Sequence, residues 1–109
     1  MDILQLTYFK KIAELENVSR AAEELLVAQP ALSKVIRTLE TELDAKLFDR
    51  TGKRITLNNN GKILLRHTNK ILQHLSDAKS EIADAGNSLI GTVSISFQAA
   101  TRMIPSILL

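Results

Sequence analysis

The 109-residue sequence contains no cysteine, which excludes disulfide bonds and metal sites built from thiolates. His67 and His74 stand seven residues apart without suitably placed carboxylate partners, so we expect no metal site there. No apolar run reaches membrane-spanning length. Asp2, Lys10 and Lys11 bracket a short amphipathic stretch where a secretion signal would have an apolar run. These absences predict a cytoplasmic protein without a metal, a disulfide or a membrane anchor.

Motifs typical of enzymes are also missing. The sequence has no glycine-rich phosphate loop, no cluster of metal ligands and no pairing of a nucleophile with a base. An enzyme is therefore the weakest of the function classes that the sequence allows. The length suits one small domain with an appendage.

Positive charge is concentrated in the middle of the chain, although the net charge of the whole is only +2. Residues 1–45 carry a net charge of −3, residues 46–79 carry +6, and residues 80–109 carry −1. This asymmetry is typical of a surface that binds a polyanion. A solvated helix face is the alternative interpretation of a basic stretch.

Three helices are predicted within the first 45 residues. An apolar stripe from Leu4 to Leu15 marks the first helix. Ser19 is expected to cap the second helix, which should end near Leu26. Pro30 stands in the first turn of the third, where a helix tolerates a missing amide hydrogen. Two short helices joined by a tight turn therefore follow one another.

The third helix has two faces of different chemistry. One face is apolar and is predicted to be buried, and it consists of Leu32, Val35, Ile36, Leu39 and Leu43. The opposite face offers hydrogen-bonding and cationic groups from Gln29, Pro30, Ser33, Lys34, Arg37 and Thr41. This second face is free to meet a ligand.

A hairpin and a long helix are predicted beyond Asp44. Residues 47–50 and 55–57 are compatible with strands, and residues 51–54 form a turn in which Gly52 supplies a positive φ. Lys53 and Arg54 make the tip of this hairpin basic. Asn58 can cap the helix that follows.

Apolar positions along the fourth helix form a heptad seam of about three repeats. The seam consists of Leu64, Ile71, Leu75, Ala78, Ile82, Ala85 and Leu89, with Thr68 completing the alternation. Leu64 and Leu65 are expected to pack on the chain's own domain, whereas residues 71–85 extend too far for that and predict pairing with a second copy. Heptads alone leave the orientation of the pair open. Residues 86–88 and Gly91 predict a hinge.

The last segment is expected to begin another domain. Val93, Ile95 and Phe97 alternate with serines, as in a half-buried strand, and a further apolar stretch begins at Ile104. We therefore divide the chain into a first domain at residues 1–58, a linker helix at 59–87, and a hinge with the start of a second domain at 88–109.

The order of these elements is that of a winged helix-turn-helix, a mainly α fold that reads DNA. In such modules the second helix of the pair enters the major groove, and its first side chains reach base edges. Gln29 can bond adenine through two hydrogen bonds, and Lys34 suits the acceptor edge of guanine. Ser33 and Arg37 can instead hold phosphate, and local helix capping competes for Ser33. A protein-interaction module, in which the two-faced helix docks a partner, is the rival interpretation.

Over residues 1–90 the sequence resembles the amino-terminal part of LysR-type transcriptional regulators. The resemblance runs through Leu6-Thr7-Tyr8-Phe9, Ser19-Arg20-Ala21-Ala22-Glu23, Gln29-Pro30-Ala31-Leu32-Ser33, Ile36, Leu39-Glu40, Leu43, Leu47-Phe48-Asp49-Arg50, Leu57 and Gly61. It implies a bacterial regulator that binds a pseudo-palindromic operator in double-stranded DNA as a homodimer, with antiparallel fourth helices.

The resemblance also assigns roles to residues and partners. The DNA-binding residues would be Ser19, Arg20, Gln29, Pro30, Ser33, Lys34, Arg37, Arg50, Lys53 and Arg54. The dimer interface would comprise Leu64, Ile71, Leu75, Ala78, Ile82 and Ala85. For the full-length protein the resemblance implies a small-molecule effector domain that begins near Gly91, RNA polymerase as a partner, and compatibility with higher oligomers. No cofactor is expected in residues 1–109.

Two positions depart from the family pattern. Ala28 stands where serine is common, which removes a potential helix cap worth about 1 kcal/mol. Residues 58–60 are all asparagine where threonine and a helix former are more usual, so the start of the fourth helix is expected to fray.

Overall fold

The computed structural model describes the backbone of residues 1–88 and the side chains of residues 1–86. Its elements in chain order are α1 (Ile3–Leu15), α2 (Val18–Leu25), α3 (Gln29–Leu43), β1 (Phe48–Thr51), β2 (Arg54–Leu57) and α4 (Asn59–Ser88). The predicted three helices, hairpin and long helix are confirmed. The predicted strand, Leu89, Gly91 and the start of a second domain lie outside the described residues.

The first two helices begin at side-chain caps. The Asp2 carboxylate accepts a hydrogen bond from the Gln5 amide at 2.7 Å, and the Gln5 side chain accepts one from the Asp2 amide at 3.2 Å. Asn17 caps α2, because its side-chain oxygen accepts from the Arg20 amide at 2.9 Å. The prediction of Ser19 as this cap is wrong, since Ser19 already lies inside the first turn of α2.

The core forms where α1, α2 and α3 pack on one another and on the base of the hairpin. It consists of Phe9, Ile12, Ala13, Ala21, Ala22, Leu32, Ile36, Leu39, Leu47, Phe48 and Ile55. On α3, Leu32, Ile36 and Leu39 are buried as predicted. Leu43 is 39% exposed, because it lies in the last turn, just before the left-handed Asp44 that ends the helix. Ala28 makes no side-chain cap, as expected.

The hairpin, called the wing below, is a two-stranded antiparallel sheet. Phe48 pairs with Leu57 at its base and Thr51 with Arg54 at its tip. The loop is therefore only two residues long, shorter than the predicted turn of residues 51–54. Gly52 takes up a φ of 63°, the left-handed conformation that lets so short a loop close.

The start of α4 is anchored to the segment before the wing, so the expected fraying is not seen. The Asn58 side-chain oxygen accepts from the Gly61 amide at 2.9 Å and caps the helix. The side-chain amides of Asn58 and Asn60 both donate to the Lys46 carbonyl oxygen, at 2.9 and 3.2 Å. The asparagine run therefore supplies polar contacts that compensate for its low helix propensity.

Helix α4 continues without a break to Ser88. The predicted hinge is wrong for residues 86–88, because a single glycine costs only about 1 kcal/mol in a helix and a 30-residue helix absorbs it. The first compact unit of the fold reaches Leu72, beyond the predicted boundary at residue 58, since the first turns of α4 pack on the core. None of the described helices is long and apolar enough to cross a membrane.

Thr68 is completely buried on α4, and its Oγ1 has no hydrogen-bond partner within the described residues. Burying an unsatisfied hydroxyl costs about 1–3 kcal/mol. We therefore expect Thr68→Val, which keeps the shape and removes the hydroxyl, to raise the free energy of unfolding by about 1 kcal/mol. Chemical denaturation measures this, with Thr68→Ser as a control that keeps the hydroxyl and should destabilise. A destabilised valine variant would show that the hydroxyl is bonded after all.

Candidate DNA interface

A surface cleft lies between the helix-turn-helix and the wing. Its helical wall includes Ser19, Gln29 and Ser33, and its wing wall includes Arg50, Lys53 and Arg54. These six residues come from α2, α3, both strands of the wing and the loop between them, and all were predicted from the sequence as DNA contacts. The fold therefore brings hydrogen-bonding side chains and cations to one surface.

The Gln29 side chain is held by a neighbour across the helix-turn-helix. The Ser19 hydroxyl donates to the side-chain carbonyl oxygen of Gln29 at 2.9 Å. This bond uses one lone pair of the Gln29 carbonyl oxygen and leaves its second lone pair and the NH₂ group available to a ligand. Ser19 thus contributes to the site by orienting Gln29, a role other than the helix cap predicted for it.

The wing cations carry no ion pair within the described residues. Arg50, Lys53 and Arg54 are exposed, and none of them contacts a carboxylate there. Their charge is therefore available to an outside anion. Arg20 differs, because its guanidinium lies 3.5 Å from the Glu24 carboxylate.

Lys34 and Arg37 extend the polar face of α3 beyond the cleft. Both are exposed and line a shallow depression with Thr38, Thr41 and Glu42. Pro30 is exposed in the first turn of α3. The predicted recognition face thus lies at the surface, but the structure does not gather all of it into one pocket.

Two cleft residues were missed by the sequence interpretation. Asn17 was not among the predicted residues, although an asparagine three residues before the Arg20 amide is a recognisable helix-cap signal. Glu16 lines the cleft and reaches the wing, since its carboxylate accepts from the Leu57 amide at 2.7 Å. No local pattern marks that contact, because the two residues are 41 positions apart.

The predicted dimer seam on α4 divides into a covered and an exposed part. Leu64 packs against the protein's own core and Thr68 is buried, so Leu64 is a poor member of an intermolecular seam. Ile71, Leu75 and Ile82 are 38%, 40% and 73% exposed. Ala78 and Ala85 are exposed as well. Ile63 is a further exposed apolar residue on α4 that the heptad pattern did not include.

Among the described residues, no group of three or more His, Cys, Asp or Glu side chains could hold a metal ion. His67 and His74 are exposed on α4.

A family model described as "Bacterial regulatory helix-turn-helix protein, lysR family" matches residues 3–62, which include the helix-turn-helix, the wing and the start of α4. The chain belongs to this lysR family. The resemblance noted in the sequence is thereby confirmed, and the family is one of transcriptional regulators with a DNA-binding domain.

Curated relatives extend the similarity along most of the chain. The nitrogen assimilation regulatory protein nac of Escherichia coli is 41% identical over 101 residues, which cover 93% of this chain and 33% of the relative. The transcriptional dual regulator GltC of Bacillus subtilis is 39% identical over 110 residues, which cover 99% of this chain and 37% of that relative. The lysR-family chain described here thus spans about a third of the length of these relatives.

Solved structures of the same fold include complexes with DNA. The CbnR_DBD-DNA complex superposes with a TM-score of 0.74 at 30% identity, covering 79% of this chain and 99% of that one. The BenM_DBD/benA site 1 DNA complex superposes with a TM-score of 0.70 at 30% identity, and the match covers 73% of this chain and 93% of that one. These matches confirm a mainly α winged helix-turn-helix followed by a long helix.

Proposed function

We propose that this lysR-family chain binds double-stranded DNA as a homodimer and serves as the DNA-binding part of a longer transcriptional regulator. The observation that carries the proposal is the cleft in which Gln29 and Ser33 of α3 face Arg50, Lys53 and Arg54 of the wing. Hydrogen-bonding groups on a helix can read base edges, while unpaired cations beside them bind phosphate. The similarity to DNA complexes of CbnR and BenM domains supports this assignment.

In this proposal α3 enters the major groove. Gln29, Pro30, Ser33 and Lys34 lie in its first two turns, the part of a recognition helix that contacts bases. The Ser19 hydroxyl orients the Gln29 amide, whose NH₂ group and second oxygen lone pair are still available for the two-bond contact with adenine. Arg37 lies farther along the helix and suits phosphate.

The wing would lie along the neighbouring phosphates or in the minor groove. Lys53 is exposed in the two-residue loop, Arg54 is exposed at the start of β2, and Arg50 lies on β1. Cations of this kind release counterions from DNA when they bind, so their contribution is salt-dependent. At the start of α2, Ser19 and Arg20 are placed to contribute backbone contacts.

Homodimerisation through α4 is the second part of the proposal. Ile71, Leu75 and Ile82 leave apolar surface exposed at heptad spacing, and Ala78 permits close approach of a second helix. Two helix-turn-helix units held in this way suit a pseudo-palindromic site whose half-sites lie about one helical turn, or a multiple of it, apart.

The remainder of the proposal concerns the longer protein. A regulator of this kind acts in the cytoplasm, where bacterial DNA and RNA polymerase are found, and we propose RNA polymerase as a partner. We also propose that a small-molecule effector binds a domain beyond residue 90. Membership of the lysR family supports both proposals, and the regulators nac and GltC are about three times as long as this chain.

Titration of a random-sequence duplex at several salt concentrations tests the DNA-binding proposal. Replacing both Lys53 and Arg54 by alanine should lower the slope of log affinity against log salt by about two for each bound protomer, because each lost phosphate contact removes about one counterion. Lys70→Ala with Lys79→Ala is the matched control, since it removes two exposed charges outside the cleft. If the slope of log affinity against log salt is the same for the double alanine variant as for the wild type, the wing does not contact phosphate as proposed. A protein-interaction module would show no salt-dependent DNA binding at all.

A further inference from the structure

Glu16 occupies a backbone conformation that favours glycine. It ends α1 with φ 49° and ψ 38°, in the left-handed region, and its amide donates to the Ile12 carbonyl oxygen. A side chain at such a position adds conformational strain that glycine would avoid. Leu26 and Asp44 bear the same cost at the ends of α2 and α3. The Glu16 side chain also makes a contact with a distant part of the fold.

That contact joins α1 to the base of the wing. The Glu16 Oε2 atom accepts a hydrogen bond from the Leu57 amide at 2.7 Å, across 41 residues of sequence. Leu57 is the last residue of β2 and pairs with Phe48, whose ring lies 5.8 Å from that of Phe9 on α1. The bond is charge-assisted, a class stronger than the bond between two neutral groups.

A second carboxylate holds the other side of the wing base. Glu40 on α3 accepts from the Leu47 amide at 2.8 Å, immediately before β1 begins. An isolated two-stranded hairpin is at best marginally stable in water, so its orientation depends on contacts of this kind. Glu40 ties the incoming strand to α3, and Glu16 ties the outgoing strand to α1.

We propose that Glu16 is a positioning residue for DNA binding: by holding the Leu57 amide it fixes the wing against the helix-turn-helix and thereby aligns Lys53 and Arg54 with the polar face of α3. This inference rests on the proposed DNA-binding function. Glu16 lines the same cleft as the wing cations, where a negative charge by itself repels phosphate. Its benefit to DNA binding therefore comes from where it holds the wing.

Two substitutions separate position from charge. Glu16→Gly relaxes the left-handed backbone and removes the bond, so the protein should fold while the wing base loses its hydrogen bond to α1 and keeps the packing of Phe48 on Phe9. Glu16→Gln keeps an acceptor for the Leu57 amide but removes the charge. Two quantities are measured for each variant: hydrogen exchange at the Leu57 amide, and duplex-DNA affinity as a function of salt.

For Glu16→Gly we expect faster exchange at Leu57, about tenfold weaker DNA binding, and a salt slope that moves toward that of the Lys53, Arg54 double alanine variant. For Glu16→Gln we expect a protected Leu57 amide and a slope at least as steep as that of the wild type. A Glu16→Gly variant that binds duplex DNA with the affinity and the salt dependence of the wild type would overturn the proposal. A Glu16→Gln variant whose DNA affinity no longer depends on salt, although its Leu57 amide is still protected from hydrogen exchange, would also overturn it. A wild-type protein without salt-dependent binding would instead refute the proposed function itself.

Discussion

Replacing Ile71 and Leu75 together by glutamate is expected to convert the protein to a monomer and to weaken binding to a two-half-site duplex by about a hundredfold or more. Both side chains are about 40% exposed on α4 at heptad spacing, and charges there would repel their counterparts in a paired helix. In a dimer, binding of one protomer to its half-site holds the second protomer close to the other half-site and raises its effective concentration there. Two monomers bind the half-sites independently, so this gain in affinity is lost. Light scattering after gel filtration measures the first effect, and titration of the duplex measures the second.

The matched control for this variant is Asn69→Glu with Ser76→Glu. These exposed positions are on the same helix and, at 100° per residue, lie about 100–160° around the helix axis from Ile71 and Leu75. The control adds the same charge and should leave both mass and affinity unchanged apart from a small electrostatic effect. If the seam variant stays dimeric, or becomes monomeric without loss of affinity, the link between pairing and DNA binding is wrong.

Replacing Gly61 by alanine should destabilise the fold by about 3 kcal/mol. A Cβ atom there would overlap the Leu47 carbonyl oxygen and the Leu57 side chain, at the point where α4 starts against the base of the wing. The Leu47 carbonyl group cannot move freely, because its oxygen accepts from the Asn58 amide at 3.1 Å and the Leu47 amide is held by Glu40. Chemical denaturation at a fixed protein concentration measures the loss.

Gly86 provides the control for that substitution. It lies on the same helix, and an added Cβ atom would meet nothing within 4 Å. Gly86→Ala should therefore stabilise the protein by about 0.5–1 kcal/mol through helix propensity alone. A lower free energy of unfolding for Gly61→Ala together with a higher one for Gly86→Ala would support close packing at Gly61. A stabilised Gly61→Ala variant would contradict it.

Local patterns were enough to predict the element order of this protein. Three local signals were used: helical stripes, Pro30 in the first turn of a helix, and Gly52 in a hairpin loop. Each depends on only a few neighbouring residues, so it can be recognised without knowledge of the tertiary structure. Charge patterning likewise indicated the cations of the cleft. The two-residue wing loop and the continuation of α4 through Gly86 were beyond this reasoning, because pairing register and helix ends depend on small energy differences.

The contacts that complete the site depend on tertiary structure. Thr68 and Leu64 fit a heptad pattern, yet they face the protein's own core, and only the packing of α4 distinguishes the two uses of an apolar stripe. The Ser19 bond to Gln29 and the Glu16 bond to Leu57 join separate elements. Sequence reasoning proposed side chains for contact with DNA, but it did not identify the contacts that orient those side chains.

The central claim is that this lysR-family chain binds DNA as a dimer through α3 and the wing. Sedimentation velocity of a labelled duplex with two half-sites, titrated with protein at several salt concentrations, tests it most directly. We predict a complex of two chains per duplex whose affinity falls steeply with salt. A protein that leaves the duplex unbound at low salt, or that binds only as one chain per duplex, would contradict the claim.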